Sequence, residues 1–237
     1  MQILVVELAN QTPGSDATAE VMRLHGLWDA AAQADDSPQA DGAYAVLPHA
    51  PVATPGRPLP RLLLLADLAD FRKRKNSEQV QMRQMARQLL ENIALAGGMH
   101  RADRCQEDRG DGFIELIEPT VSVVSLLRAL LTKLPADLDE INNLSTRATR
   151  LRMRLVLARL HVAGHDLVLS DAWRLLDSDE LRAALHRRNA NLALCVSDLI
   201  YWETVGPGHA GVPAAEFHEF AVHHKSRTSH AWLHQPT

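Results

Sequence analysis

The sequence predicts an α+β domain, and three observations lead to that prediction. Short apolar runs typical of strands alternate with segments of helical periodicity between residues 61 and 234. Their order is strand, helix, hairpin, helix, strand, helix, strand. Two glycines flank an acid at residues 110–112, which is typical of a tight turn between antiparallel strands. This order predicts a split βαββαβ sheet with helices on one face and the other face free, followed by extra C-terminal strands.

Each element is predicted from its own pattern. The first strand is a run of four leucines, and a later strand alternates apolar residues with others, as a sheet surface requires. The first helix repeats apolar residues at helical spacing behind a capping box at Asn76 and Gln79. In order, the predicted elements are the strand RLLLLAD (61–67), a helix at 77–97, strands at 103–109 and 112–118, helices at 120–134 and 135–144, the strand RLRMRLVLARLHV (150–162), a helix at 170–188, the strand LALCVS (192–197) and the strand HAWLH (230–234).

The N-terminal part of the chain predicts an extension and a linker. Residues 2–8 have the pattern of a short strand, and residues 15–34 have that of a helix. Residues 34–60 contain six prolines among small polar residues, a composition that cannot form a core. We therefore place a boundary near residue 58. The remainder, residues 59–237, is long enough to bury a sizeable core.

Composition argues against several classes of partner. The net charge of -4 gives no overall positive field of the kind that attracts nucleic acid. Cys105 and Cys195 each lie in a predicted strand, which favours buried free thiols over a disulfide or a metal site. The start of the chain lacks a basic signal-peptide region, and no apolar stretch reaches the length of a membrane span. We expect a cytoplasmic protein without a membrane or nucleic-acid partner.

Two acids are predicted to meet at one end of the sheet. Asp67 ends the first strand, and Asp111 lies at the hairpin turn. Because the first strand of a βαββαβ sheet lies beside the hairpin, the two carboxylates come together, and oxygen ligands of this kind suit hard divalent cations. Each acid alone is as readily explained as a turn former.

A basic run follows the first strand. Residues 72–75 are four consecutive lysines and arginines, placed directly before a helix whose N-terminal dipole they oppose. A phosphate group held at that helix end would explain the placement, although a solvated surface is the simpler explanation of a basic run. A metal ion and a phosphate at one strand end together indicate phosphoryl transfer.

These residues resemble a known family. The segments LLLLADLADF (62–71) and DRGDGFIELI (108–117) are similar to the two metal-aspartate motifs of class III nucleotide cyclases, the catalytic domain of adenylate and guanylate cyclases. Asp67 and Asp111 match the metal acids, Phe71 matches the aromatic position, and Asp70 stands where glycine is usual. The resemblance covers roughly residues 60 to 236. It implies a ferredoxin-like palm, Mg²⁺ or Mn²⁺ ions, and active sites formed between two protomers of a homodimer.

The resemblance also implies roles for further residues. Glu107 stands where the family reads the purine, and its carboxylate would accept hydrogen bonds from a guanine edge. Arg174 matches the arginine of a transition-state pair, whose asparagine position is occupied by Ser170. Lys225 matches a late phosphate-binding lysine. With Asp70 and Phe71, Glu107 and Lys225 form the predicted nucleotide-binding set.

The function implied is conversion of a nucleoside triphosphate to a cyclic nucleotide and pyrophosphate. An alternative is a catalytically inactive homology domain that binds nucleotide or dimerises, which the unusual residues at the asparagine and glycine positions favour. A second alternative is a diguanylate-cyclase-like or polymerase-like palm, against which Gly112 replaces an acid that such proteins use. Which base is bound and what regulates the protein remain open at the level of sequence.

Overall fold

The computed structural model describes residues 61–160, 169–187, 190–224 and 227–236. All of them belong to one compact unit, Pro60–Thr237. The predicted N-terminal strand, helix and linker lie outside the described residues, so the boundary near residue 58 stays a prediction.

Seven strands form one open, mostly antiparallel sheet in the order β2-β3-β1-β4-β5-β7-β6. The first four strands have the order of a split βαββαβ unit, so the predicted fold class is confirmed. Only the pairing of β4 with β5 is parallel among the strands described. The strands are β1 (Arg61–Leu68), β2 (Arg104–Asp108), β3 (Gly112–Ile117), β4 (Met153–Leu160), β5 (Leu192–Ser197), β6 (Phe217–His224) and β7 (Arg227–His234).

Helices connect the strands. The long helix after β1 and the helical segment after β3 are the two crossovers of the βαββαβ unit. A π-helical turn at Ala129–Lys133 joins the two pieces of the second crossover. The helices are α1 (Asn76–Ala96), α2 (Val123–Arg128), α3 (Leu134–Leu144), α4 (Leu169–Leu176), α5 (Asp179–His186) and the short α6 (Asp198–Ile200).

The main core lies between the crossover helices and one face of the sheet. Alternate residues of β1 point to that face because successive side chains of a strand alternate. They pack against α1, α2 and α3, as predicted for helices on one face. The largest buried side chains of this core include Leu62, Met82, Leu89, Ile93, Phe113, Ile117, Leu126 and Leu127.

Helix α4 lies on the opposite face, which is therefore covered in part and not free. Leu63 and Leu65 are fully buried although they face away from the main core. Ala172 and Leu175 of α4 are also fully buried outside that core. Since α4 lies against β1 and β4, it is one of the elements that cover the central strands on this side.

Three local predictions need correction. The helix predicted at 170–188 is two helices, because Ser178 caps a new helix and its Oγ accepts a hydrogen bond from the Leu181 amide. The final strand is longer than HAWLH and forms a hairpin with β6, a strand that the many histidines obscured. The first helix is capped at Lys75, whose amide donates to Glu78, and not by the predicted Asn76 and Gln79.

Both cysteines are free thiols, as predicted. Cys195 is fully buried in β5, and burial raises the pKa of its thiol. Cys105 is half-buried in β2, where burial again raises the pKa and the charge of Glu107 adds to the effect. Among the described residues, no helix is long and apolar enough to cross a membrane.

Candidate active site

The strand register brings the two predicted metal acids to one end of the sheet. Asp67 lies opposite Gly112 of β3 and opposite Arg154 of β4. The amide of Leu68 donates to the main-chain carbonyl of Asp111 at 2.8 Å, which ties the hairpin turn to the end of β1. The meeting of Asp67 and Asp111 at this strand end thus follows the sequence prediction.

Two glycines allow the close approach. A Cβ on Gly112 would lie 2.3 Å from the carbonyl oxygen of Ala66, so no other residue fits there without moving β1. Gly110 has φ of 88°, a left-handed conformation that favours glycine. The turn that presents Asp111 therefore depends on the Gly-Asp-Gly pattern itself.

Asp67 is held by a partly buried arginine from β4. Arg154 donates to Asp67 Oδ2 from Nε at 3.0 Å and from Nη2 at 2.7 Å. Its Nη1 donates to the carbonyl of Leu176 at 3.1 Å and lies 3.7 Å from Asp177, so the C-terminal end of α4 also fixes the guanidinium. The Arg154 side chain is 13% exposed, and the Asp67 side chain is 20% exposed.

Burial raises the pKa of Asp67, and this effect exceeds the lowering by Arg154. The charge of Asp111 also raises the pKa, which places the two acids within electrostatic reach of each other. Asp111 itself accepts a 2.7 Å hydrogen bond at Oδ2 from Nε of Arg72, a largely exposed side chain.

The loop after β1 is a compact turn. Asp70 has φ of 60°, which explains why glycine suits this position, and Lys73 donates to its carboxylate at 2.6 Å. That hydrogen bond lowers the pKa of Asp70. Phe71 is 5% exposed and packs in the main core. The amides of Leu68 and Ala69 already donate to carbonyl oxygens, so they are not available to a phosphate without rearrangement.

The hairpin turn is also attached to α1 on its other side. Arg83 donates from Nε to the carbonyl of Gly110 at 3.1 Å, and its guanidinium lies 5.4 Å from the centre of the Phe71 ring. Arg87 pairs with Asp108 at 2.5 Å. Asp108 in turn accepts a hydrogen bond from the Gly110 amide at 2.8 Å.

Glu107 lies on the same sheet face as Asp67. Glu107 is paired with Ile114 in the register of β2 with β3, and Ile114 is paired with Leu65 in that of β3 with β1. Its carboxylate lies 3.0 Å from Nε of Arg109. The predicted base-reading residue is thus partly buried, faces the side of the acids and already has a basic neighbour.

Of the remaining predicted residues, only Arg174 has a described side chain, and its described contacts do not reach the acids. Arg174 donates from Nη1 to Asp171 at 2.7 Å within α4, and Asp171 is buried. Ser170 lies in the first turn of α4, and only its backbone is described. Lys225 lies outside the described residues.

The donor set fits a hard divalent cation that keeps other ligands. The hydrogen bonds from Arg154 and Arg72 both reach Oδ2 oxygens, and the Oδ1 oxygens of Asp67 and Asp111 receive no side-chain hydrogen bond from the residues that the structure describes. The described residues contain no group of three or more acids, histidines or cysteines suited to a metal. Mg²⁺ is typically bound by one or two carboxylates together with water and substrate phosphates, which is the arrangement that two acids allow.

Sequence reasoning missed Arg154 and Arg83. Arg154 occupies an alternating position of β4 that resembles any strand residue, and only the register against β1 places it on Asp67. Arg83 resembles a solvated helix residue, since its contacts lie in loops distant along the chain. No pattern in the sequence distinguishes Arg154, because it alternates with the core residues Met153 and Leu155 as a solvated strand residue would.

Comparisons with known proteins give solved structures only. No family model matches the chain, and no curated protein matches it. The chain is similar to the guanylyl cyclase Cya2, with 14% identity over 74% of this chain and 91% of that one, and a TM-score of 0.48. It is similar to an adenylate/guanylate cyclase/hydrolase from Silicibacter pomeroyi, with 17% identity, coverage of 75% and 96%, and a TM-score of 0.49.

A bacterial light-regulated adenylyl cyclase is a third such structure, with 14% identity, coverage of 73% and 88%, and a TM-score of 0.46.

Proposed function

We propose that this domain is a nucleotide cyclase-like enzyme that converts a nucleoside triphosphate to a cyclic nucleotide and pyrophosphate at a homodimer interface. The observation that carries the proposal is the meeting of Asp67 and Asp111 at one strand end, between Arg154 and Arg72. Phosphoryl transfer requires positioning and charge stabilisation more than covalent chemistry. Two carboxylates for a divalent cation and two guanidinium groups for a polyanion meet that requirement.

Asp67 and Asp111 would hold Mg²⁺ or Mn²⁺ ions through oxygens that no side chain of the described residues occupies. Bound ions supply two things in a two-metal mechanism: they lower the pKa of the ribose 3′-hydroxyl and neutralise charge on the triphosphate. The acids would share the ions with phosphate oxygens of the substrate.

The two arginines would change partners when substrate and cations bind. A cation between the acids compensates their charge, which frees each guanidinium to bind a phosphate oxygen. Arg72 is largely exposed and can turn readily. Arg154 is held by the carbonyl of Leu176 and by Asp177 as well as by Asp67, so it would remain close to the strand end while it reorients.

Glu107 would contact the base. Its carboxylate accepts hydrogen bonds only, which matches the N1–H and N2–H₂ groups of guanine and also a cytosine amino group. Arg109 lies against that carboxylate and would have to share it.

Arg174 and Ser170 would act from the partner protomer. Arg174 is not near the acids of its own chain in the described contacts, where its partner is Asp171. A guanidinium supplied across an interface stabilises charge that develops on the α-phosphate and the leaving pyrophosphate. Mixing Asp67→Ala and Arg174→Ala proteins should then restore part of the activity, since one site of the mixed dimer stays intact.

A specific observation favours a second candidate, an inactive homology domain that binds nucleotide or dimerises. Both acids already have an arginine partner, and Arg154 is partly buried where it pairs with Asp67. A fixed guanidinium opposes a dication at the same carboxylate. In this case the strand end would be a structural ion-pair cluster.

One experiment separates the two candidates. The protein is incubated with each of the four nucleoside triphosphates and Mn²⁺, and mass spectrometry detects cyclic mononucleotide, linked dinucleotide or unchanged substrate. Asp111→Asn serves as the matched inactive control. A cyclic mononucleotide that the control does not form supports the cyclase. Unchanged substrate in both samples supports the inactive domain, and a linked dinucleotide supports a diguanylate-cyclase-like palm.

A further inference from the structure

The hairpin turn that carries Asp111 is held from two sides. On one side the Leu68 amide donates to the Asp111 carbonyl at 2.8 Å. On the other side Arg83 of α1 donates to the Gly110 carbonyl at 3.1 Å. The main-chain atoms of Asp111 lie between these two hydrogen-bonded carbonyl groups. Both hydrogen bonds therefore determine where the Asp111 carboxylate lies relative to Asp67.

Arg83 also contacts the loop that follows β1. Its guanidinium lies 5.4 Å from the centre of the Phe71 ring, and that ring is buried in the main core. A cation over an aromatic face is attracted by the ring quadrupole. One half-buried side chain thus links the hairpin turn to the loop before α1, and both segments border the strand end where the acids meet.

We infer that Arg83 is a positioning residue, which fixes Asp111 relative to Asp67 and so sets the affinity of the site for a divalent cation. The inference rests on the proposed function, since it concerns the same pair of acids. It goes beyond that function because Arg83 touches neither acid side chain in the described contacts. It acts through the main chain of Gly110, whose carbonyl accepts the hydrogen bond from Arg83.

The side chain of arginine suits this role better than that of lysine. The planar guanidinium can direct Nε–H at a carbonyl oxygen while its face lies on an aromatic ring. Its distance of 3.9 Å from Asp108 adds an attraction to the same turn. A lysine would keep the charge and lose the directed geometry, so Arg83→Lys separates positioning from simple charge.

The test compares Arg83→Lys and Arg83→Met with Arg128→Met. Arg128 is the matched control because it also donates to a loop carbonyl, that of Ala210, at 2.9 and 2.7 Å, in a different part of the chain. Mn²⁺ alone is titrated by calorimetry, and electron paramagnetic resonance follows the bound ion. We expect both Arg83 variants to lose roughly tenfold in Mn²⁺ affinity, as residues that orient metal ligands do, with Arg128→Met unchanged.

Hydrogen exchange supplies a readout that needs no metal. We expect Arg83→Met to accelerate exchange at the amides of Leu68 and Arg109, which are hydrogen-bonded to the turn, while amides of β4 and β5 keep their protection. Unchanged exchange at the turn, or unchanged Mn²⁺ affinity in both Arg83 variants, overturns the inference. Failure of the unsubstituted protein to bind Mn²⁺ overturns the proposed function itself, and with it the role of Arg83 at a metal site.

Discussion

Two acid–arginine clusters lie on opposite faces of the sheet, and they differ in what can reach them. At the end of β1, Arg154 pairs with Asp67, whose side chain is 20% exposed. Beneath α1, Arg104 lies between Glu115 and Glu91, and Glu115 is 1% exposed. The same pair of residue types therefore forms a solvent-accessible site in one place and a sealed contact in the other.

Burial decides between these two outcomes. Glu115 accepts hydrogen bonds at Oε1 from Arg104 at 2.8 Å and from Gln106 at 2.7 Å. Glu115 is 1% exposed, so no cation can reach it without a local opening of the structure, whereas the Asp67 carboxylate lies at the end of a strand. A carboxylate with an arginine partner is therefore a candidate site only where it is accessible to solvent and close to a second acid.

We expect the largest loss of folding stability from substitution of Arg104. Arg104→Met leaves two acids close together, one of them fully buried and without its counter-ion. Loss of one partner of a buried ion pair costs about 3–5 kcal/mol of folding free energy. Urea unfolding measures it, with Arg101→Met as the control, since Arg101 approaches the same Glu91 from the exposed surface. A similar small effect of both substitutions would contradict the structural role of the sealed cluster.

We expect the next largest change in folding stability from a change in pH. Burial raises the pKa of Glu115 from 4.5 to about 7, so between these values the folded protein keeps a proton that the unfolded chain releases. Stability should fall as pH rises through that window, by about 3 kcal/mol, and then level off. Glu115→Gln should remove this slope in urea unfolding measured from pH 4.5 to pH 8. A slope that persists in the variant would assign the titration to another group.

How much of this the sequence could predict differs between the two clusters. Asp67 and Asp111 were predictable because Asp67 ends an apolar run and Asp111 lies in a Gly-Asp-Gly turn. The predicted strand order then places the two residues at the same end of the sheet. The partner of Asp67 was not, since Arg154 lies 87 residues away and only the β1–β4 register selects it. Glu115 and Arg104 resemble ordinary polar residues of a hairpin, and their burial follows from the position of α1.

The secondary structure was also predictable only where the sequence pattern is strong. Long elements with strong periodicity, such as α1 and β1, were predicted within a few residues of their bounds. The break between α4 and α5 at Ser178 was not, because the apolar pattern continues across it and the cap depends on one local hydrogen bond. Strand β6 lacks a regular alternation, since His218 and Glu219 are adjacent and an apolar run follows at 220–222, so its pattern is weak until β7 is placed beside it.

At the strand end, Asp111→Asn should keep the fold and lose cation binding. Asparagine suits the turn and can still accept the hydrogen bond from Arg72, whereas it lacks the charge that attracts a dication. We expect a fall of roughly 10- to 100-fold in Mn²⁺ affinity with little change in thermal midpoint. Calorimetry of this variant beside Asp179→Asn, a charge removal at a fully accessible side chain, makes the comparison. Equal Mn²⁺ affinity in the unsubstituted protein, Asp111→Asn and Asp179→Asn would show that Asp111 does not bind the cation.

A smaller effect is expected at the third acid–arginine pair, Glu107 with Arg109, which is buried to about the same degree as Asp67 with Arg154. Glu107→Lys should shift base preference away from GTP and toward ATP, because an ammonium donates hydrogen bonds to adenine where a carboxylate cannot. The change is expected to be roughly ten- to a hundredfold in the ratio of the two turnover rates, measured in competition. An unchanged ratio with turnover intact would group this pair with the sealed cluster as a structural contact.

The most direct test is a crystal structure determined with Mn²⁺ and a non-hydrolysable nucleoside triphosphate analogue. Anomalous scattering locates Mn²⁺ without assumptions about its ligands. We expect an anomalous peak at coordination distance from both Asp67 and Asp111, Arg154 turned toward the phosphates, and no peak beside Glu115. Bound nucleotide without Mn²⁺ at the two acids, with Arg154 still on Asp67, would contradict this expectation.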